Sequence, residues 1–421
     1  MKNVLVIVYY FPPMGGSGVQ RPLKFIKYLR EFGWNPIVLC PEPGAYHVFD
    51  ESLNNELKSL NVDVHRVEGN TPLHKSGNRL VSLPSFAERF LRKVSQFFWI
   101  PDNKKGWIKP GFKKAKEIIS TQKIDLIFST APPYSNLVLA TMLKKDFDIP
   151  IVMDLRDDWL NTHLVKYPTR WHFSKMRTLE LETLNQADQI ITINELIAES
   201  IESRIDNSNK VEVISHGFDL EDFRDGAINS VDSKKITFLY SGTFYPESGP
   251  EMFIEVMALF LEENPTYKDK VVLQFQGNLG NEFDSLFKKY GIQKNVHNFG
   301  FIPHLDAVQN LLNADILWLN NSHKKNPQIL SLGKTYEYMA SKKPIIAMIP
   351  KGTLRNTLEK YGAAFISDPE NLVDLKNNIE KVIRLFEQNK LPIPDQKFIY
   401  NFDRRMLTKR LSSIFNVISN K

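Results

Sequence analysis

Apolar residues along this chain fall in short unbroken runs of strand length, each followed by a stretch whose apolar positions recur three and four residues apart. Residues 4–10 form the first run, continuous and rich in β-branched side chains. A run of that kind, with no alternating polar positions, reads as a parallel strand covered on both faces. Residues 19–32 follow with Phe25, Leu29 and Phe32 at helical spacing, Ile26 beside them, and Lys24, Lys27, Arg30 and Glu31 in between. Gly33 stops this helix and residues 36–40 make a second strand. The opening is therefore a βαβ unit.

The alternation continues. Strands are predicted at 124–128, 150–154, 189–193 and 211–214, with helices at 135–145, 178–188 and 195–204. Residues 224–235 are polar and aperiodic, the pattern of a linker. A second series has strands at 236–240, 271–276, 296–299, 316–319, 344–349 and 363–366, and helices at 251–263, 282–290 and 304–313. Residues 398–418 are helical in spacing. The expected fold class is α/β: two Rossmann-like domains facing across a cleft, spanning 1–225 and 235–395, the first completed by a C-terminal helix over 398–421. In such sheets ligands bind beyond the carboxyl ends of the strands, so the loops that follow strands carry the chemistry.

Composition narrows the class. The chain has 421 residues, 42% hydrophobic and 24% charged, which is ordinary for globular domains. Its single cysteine, Cys40, excludes an internal disulfide framework and a cysteine metal cluster, and reads as a buried structural thiol at the end of an apolar run. A net charge of +6 and a pI near 9.0 suit anionic partners such as nucleotide phosphates or a membrane surface. No nucleic-acid module is recognisable, so none is expected as a partner. No apolar run approaches the ~18 residues of a membrane helix. The N-terminal apolar run leads into Pro12-Pro13 and glycines with no small-residue cleavage site. A cytoplasmic protein is expected.

Six loops carry candidate chemistry. Gly15, Gly16, Ser17 and Gly18 stand between the first strand and its helix. Glycine there lets the backbone approach an anion, and the helix start supplies N–H donors. The competing reading is a tight turn. The spacing matches neither a dinucleotide fingerprint nor a Walker loop. After the strand at 124–128 comes Thr130, and after the next comes Asp154-Leu155-Arg156-Asp157-Asp158-Trp159. Carboxylates and an arginine at a strand end can orient sugar hydroxyls or hold a perturbed base, with Arg156 and Asp157 the expected catalytic pair and Thr130, Asp154 and Asp158 the expected sugar or acceptor contacts. A structural Arg–Asp network is the alternative. Gly242 and Thr243 follow the first strand of the second series, Gly277 the next, and Gly333-Lys334 opens a helix on which Glu337 lies one turn on. That set suits a nucleotide diphosphate, with Lys334 supplying charge and Glu337 two oxygens for vicinal ribose hydroxyls. A capped surface helix is the other possibility. No metal set is apparent.

One stretch suits a membrane surface. Between residues 84 and 100, Phe86, Phe90, Leu91, Val94, Phe97 and Phe98 form a helical stripe with Arg89, Arg92 and Lys93 between, and residues 88–117 hold nine Lys/Arg against three acids. Phe90, Arg92, Lys93, Phe97 and Phe98 are the expected membrane contacts. Packing of the same stripe on the sheet is the alternative.

Taken in order, Tyr9-Tyr10-Phe11-Pro12-Pro13, Gly15-Gly16-Ser17-Gly18-Val19-Gln20-Arg21, the segment Asp154 to Trp159, Val213 to Asp219 and Gly333-Lys334-Thr335-Tyr336-Glu337-Tyr338 give the chain a likeness over nearly its whole length. It resembles bacterial glycosyltransferase family 4, in the branch that builds capsule, exopolysaccharide or lipopolysaccharide glycans. The resemblance implies the GT-B fold and a retaining, metal-independent hexosyl transfer. The donor is a nucleotide diphosphate sugar, no cofactor is required, and a lipid-linked or glycan acceptor is met at the inner face of the cell membrane. It implies Gly16 near the donor phosphates and Glu337 as the second glutamate of the family's Glu-x7-Glu motif. Three positions depart from the pattern. Ile329 stands for the first glutamate, with Gln328 or Lys334 as substitutes; Thr243 and Ser248 or Gly249 stand for the diphosphate-binding Arg and Lys; Arg156 stands near the usual histidine. A sugar-nucleotide epimerase of the same fold and a non-catalytic partner subunit remain the alternatives.

Overall fold

The computed structural model describes residues 1–44, 49–69, 97, 99–161, 167–224, 235–244, 249–277, 279, 283–321 and 331–420. Most of the linker, and Phe90, Arg92, Lys93 and Phe98 of the aromatic stripe, lie outside the described residues. The chain forms two compact units, Met1–Ser215 with Arg404–Lys421, and His216–Asp403. The first boundary therefore falls at Ser215 rather than in the polar segment, and the second at Asp403 rather than at 395.

The first unit contains β1 (Lys2–Ile7), α1 (Ser17–Leu29), β2 (Trp34–Pro41), α2 (Glu51–Ser59), β3 (Asp63–Val67), α3 (Ile108–Thr121), β4 (Leu126–Ala131), α4 (Ser135–Phe147), β5 (Ile151–Leu155), α5 (Arg170–Asn185), β6 (Gln189–Thr192), α6 (Glu195–Glu202) and β7 (Val211–Val213). All its strand pairs are parallel, in the order β3-β2-β1-β4-β5-β6-β7. Val4 to Ile7 are fully buried, as an all-apolar central strand requires. Cys40 is buried in β2, and burial pushes its thiol up to about 12.

The second unit contains β8 (Ile236–Ser241), α7 (Glu251–Glu263), β9 (Val271–Gln276), α8 (Phe283–Lys289), β10 (Val296–Asn298), α9 (His304–Asn313), β11 (Ile316–Asn320), α10 (Gly333–Ala340), β12 (Ile345–Met348), α11 (Thr353–Tyr361), β13 (Ala364–Ser367), α12 (Leu372–Glu387) and α13 (Gln396–Tyr400). Its parallel sheet runs β10-β9-β8-β11-β12-β13. The period of two is plain in its core. Phe238, Tyr240, Ile316 and Trp318 pack on one face, while Leu239, Leu317 and Leu319 pack on the other. Burying each such side chain contributes ~1.5–3 kcal/mol. The chain then returns to the first unit as α14 (Arg404–Ser419), which lays Leu407, Leu411, Ile414, Phe415 and Ile418 into the core with Leu23, Ile26 and Trp34. The expected single helix at 398–418 is thus two, broken at 401–403, and its halves belong to different units.

Each sheet reverses direction once, between β1 and β4 in the first and between β8 and β11 in the second. At such a point neighbouring connections leave on opposite faces and open a crevice at the strand ends. The first is closed underneath by a buried ion pair. Arg21, on α1, donates from Nε and Nη2 to Asp154 at 2.9–3.2 Å, and from Nη1 and Nη2 to the carbonyls of Ser215 and Ile214 at 2.7 and 2.9 Å. Neither residue is solvent-exposed. Asp154→Asn leaves the arginine uncompensated, so denaturant unfolding should show a loss of ~3–5 kcal/mol. Lys114→Gln, which removes an exposed pair to Glu117, should cost under ~1 kcal/mol in the same measurement.

Candidate active site

At the first crevice the parallel register of β4 and β5 sets Thr130 beside Asp154, and the Thr130 hydroxyl donates to Asp154 Oδ2 at 2.7 Å. Arg156 follows one residue past β5. Its Nε donates to the Ala131 carbonyl at 3.1 Å, Nη2 to Pro132 at 2.9 Å and Nη1 to Gly18 at 2.6 Å. The guanidinium thus ties the loop after β4 to the first turn of α1. Gly16 precedes that turn at φ +96°, a left-handed conformation that favours glycine, and no side chain caps the helix. A helix start that no side chain caps leaves backbone N–H groups that an anion could meet. The start of α4 differs, because Asp102 already accepts from Ser135 N and Oγ at 3.0 and 2.6 Å.

The two aspartates after Arg156 part company. Asp158 accepts from Ser200, Arg204 and Asn161. Those interactions, led by the charge of Arg204, hold its carboxyl below the usual range against the cost of burial. Arg204 also bridges to Glu180, whose carboxyl burial pushes up to about 7. Asp157 receives no hydrogen bond from any described residue. Burial raises its carboxyl above the ordinary range, offset in part by Arg156 and reinforced by Asp158. It is the half-buried carboxylate that this strand end leaves uncommitted.

At the second crevice two glycines meet. Ser241 and Gln276 pair in register, so Gly242 and Gly277 are the next residues of adjacent strands. A Cβ on Gly277 would stand 2.3 Å from the Gly242 carbonyl oxygen. Gly242 N donates to Gln276 at 2.8 Å and Gly277 N to Gly300 at 2.8 Å, so these glycines serve close packing and their N–H groups are already used. The donors come from across the reversal. Lys334, at the start of α10, donates from Nζ to the Tyr240 hydroxyl at 2.6 Å and lies 3.8 Å from that ring's centroid. Nζ would be 3.2 Å from a Cβ on Gly242. Among the described residues no carboxylate bonds to it, and burial pushes the ammonium down to about 7. No side chain caps α10, and Thr335 Oγ1 in its first turn is buried without a partner among the described residues. Tyr338 fixes the loop by accepting from Ser241 N at 2.7 Å.

Of the residues singled out from sequence, Gly18, Thr130, Asp154 and Arg156 come together, as do Gly242, Gly277 and Lys334. Thr130, Asp154 and Asp158 are interior groups with internal partners, so here the structural Arg–Asp network describes them better than contact with a sugar. The guanidinium of Arg156 is likewise spent on three carbonyls. Thr243 is exposed, and Glu337 lies on α10 with a half-buried side chain. Gly16 and Lys334 belong to different units. Tyr240, Tyr338 and Arg21 were not singled out as site residues. Nothing in linear spacing joins residues 240 and 334. In the aromatic stripe Phe97 is 50% exposed. Lys104, within the adjoining basic run, is held 5.3 Å from the Tyr9 ring, and burial lowers its ammonium.

Comparison with known proteins follows the same division into two units. Residues 19–222 match the model of Glycosyltransferase Family 4, and residues 223–394 that of Glycosyl transferases group 1. No curated protein matches the chain by sequence. Among solved structures, HepE of Anabaena, in complex with UDP and glucose, is 14% identical with a TM-score of 0.66, over 99% of this chain and 100% of that one. Sucrose-phosphate synthase of Thermosynechococcus elongatus is 14% identical with a TM-score of 0.66, over 99% of each chain. The lipopolysaccharide outer core galactosyltransferase WaaB is 14% identical with a TM-score of 0.58, over 99% and 100%. These likenesses confirm the two Rossmann-like domains of the GT-B fold, and the two consecutive domain matches place the chain among the glycosyltransferases, with a family 4 domain followed by a group 1 domain.

Proposed function

We propose that this glycosyltransferase moves a hexose from a nucleotide diphosphate sugar to a lipid-linked glycan with retention of configuration, without a metal or cofactor, in the synthesis of a cell-surface polysaccharide. The observation that carries the donor class is Lys334. A desolvated ammonium with no carboxylate partner among the described residues, at an uncapped helix start beside a glycine loop, suits a diphosphate. It brings a cation to the loop where the family's Arg and Lys are replaced. HepE has been captured with UDP and with UDP-glucose, which agrees with this class of donor. No helix of the described residues is long and apolar enough to cross a membrane, so a lipid-linked acceptor would be met at an anionic surface.

The transfer forms a bond from the sugar C1 to an acceptor oxygen and breaks the bond from C1 to the phosphate oxygen. The acceptor proton passes to the leaving diphosphate. The protein's part is to position the groups and stabilise the charge. In the second unit Lys334 and the first turn of α10 hold the leaving group and Glu337 binds ribose hydroxyls; in the first unit Gly16 and the start of α1 offer an anion site. Asp157 orients the acceptor hydroxyl, and Arg156 is a positioning residue that shapes the loop around it. The direct test is incubation with labelled sugar nucleotides and a membrane extract. Label transferred to lipid supports the reading. A converted free sugar nucleotide would make the protein an epimerase, and no change would make it a non-catalytic subunit.

Three outcomes follow for variants. Lys334→Met should weaken nucleoside diphosphate binding by ~1.5–3 kcal/mol, the scale of a hydrogen bond to a charged group. The unliganded lysine loses its proton as pH rises through about 7, and an anion binds the protonated form. Wild-type affinity should therefore fall between pH 7 and 9 by calorimetry. The variant should lose that slope and melt a few degrees higher, because it no longer buries a cation. Glu337→Gln should cost ~1–3 kcal/mol of nucleotide affinity, and unchanged affinity would remove Glu337 from the site. Asp157→Asn should depress turnover far more than nucleotide affinity. It should also abolish an acid limb lying above the ordinary carboxylate range, because the raised carboxyl must ionise to act. A fall in affinity alone would make Asp157 a binding residue.

A further inference from the structure

The first three turns of α5 show a face that the sheet does not use. Arg170, Trp171, Phe173, Lys175 and Arg177 are exposed, and no acidic residue occurs between 167 and 179. Trp171 is 59% exposed and Phe173 41%. Buried His172 sits between them and gathers a third aromatic. Its Nε2 bonds to the Phe97 carbonyl at 3.1 Å and its Nδ1 to Thr169 Oγ1 at 2.8 Å. A carbonyl only accepts, so Nε2 carries a proton and donates to Phe97. The ring centroids of Phe97 and Trp171 each lie 4.9 Å from that of His172. Among the described residues the only other exposed aromatics are Phe301 and Tyr400, both in the second unit.

Three exposed rings, two of them against one imidazole and the third, Phe173, against Tyr167, lie among cations and have no role in the core of the unit. We infer that this face of α5, together with Phe97, seats the protein on an anionic lipid bilayer. The inference rests on the proposed membrane-bound acceptor and names the surface that meets the lipid. Trp and Phe favour the boundary between head groups and acyl chains, while Arg and Lys beside them meet lipid phosphates. Lys175 Nζ already lies 6.0 Å from the Trp171 ring centroid, which keeps the cation and the ring on the same side. A second copy of the chain fits the face poorly, because a two-fold contact would set the three cations against themselves.

The test uses the full chain and sedimentation with vesicles of phosphatidylcholine, with and without phosphatidylglycerol. Wild type should sediment with the anionic vesicles alone, and less in high salt, since the attraction is screened beyond the Debye length. The variants R170E/K175E/R177E and W171S/F173S should each lose partitioning by about tenfold or more. Nucleotide binding should be unchanged in both. The substituted groups are exposed, so melting should also be unchanged, and if the charge-reversed triple melts early, R170Q/K175Q/R177Q carries the same test. Equal sedimentation of variants and wild type would overturn the surface and leave membrane attachment standing. Failure of wild type to sediment would overturn both. A variant that turns a dimer into a monomer by light scattering would make the face a contact between copies, and would also overturn the inference.

Discussion

Arg21 leaves the first turns of α1 and ends where β5 and the chain after β7 converge, and each nitrogen of its guanidinium finds an oxygen there. The partner carboxylate, Asp154, is in turn fixed by Thr130 from β4. In an interior of low dielectric an ion pair of this kind adds little net stability compared with apolar packing, but it tolerates few geometries. Its effect is positional: it settles where α1 begins relative to the ends of β4 and β5. Arg156 repeats the device one layer out with three backbone carbonyls. Together the two arginines bring the uncapped start of α1 and the Asp157 carboxylate to the point where the first sheet reverses.

Strands were the most legible part of the sequence, because a strand covered on both faces must be apolar throughout. β9 and α7 fall at the expected residues, and most other bounds shift by one to three. The larger differences have physical causes. α5 begins at Arg170 rather than 178, since Trp171 and Phe173 point to solvent and spoil the apolar periodicity of its first turns. α3 carries Pro110 and Gly111 near its start, which reads as a loop, yet proline is tolerated in the first turn and Gly111 is packed so tightly that a Cβ would lie 2.6 Å from Leu139. α12 has Leu375, Ile379, Val382 and Ile383 at helical spacing and is readable, but a reading led by strand-length runs passes over it.

The site was legible in its loops and not in its pairings. Glycines after β8 and β9 stand out in sequence, but their contact depends on a register that only the sheet supplies. Lys334 stood out as a charge at a helix start. That it reaches the loop after β8, and leans on Tyr240 to do so, follows from β8 and β11 being neighbours across the reversal. The acidic cluster misled for a related reason. Adjacent residues on a strand and the turn after it face different ways, so Asp154, Asp157 and Asp158 belong to three different environments despite lying within five positions of one another.

The charged groups of the two units therefore divide by whether the fold completes their bonding. Arg21, Arg156 and Arg204 are met by internal oxygens, and they hold loops in place. Lys334 has one neutral oxygen and an aromatic face, and Asp157 has no donor among the described residues, so each keeps a shifted proton affinity. A fold selected for stability alone would pair such groups or replace them with apolar ones. Leaving them unpaired among the described residues costs stability in the free protein, and under the proposed function a diphosphate and an acceptor hydroxyl would supply the missing interactions.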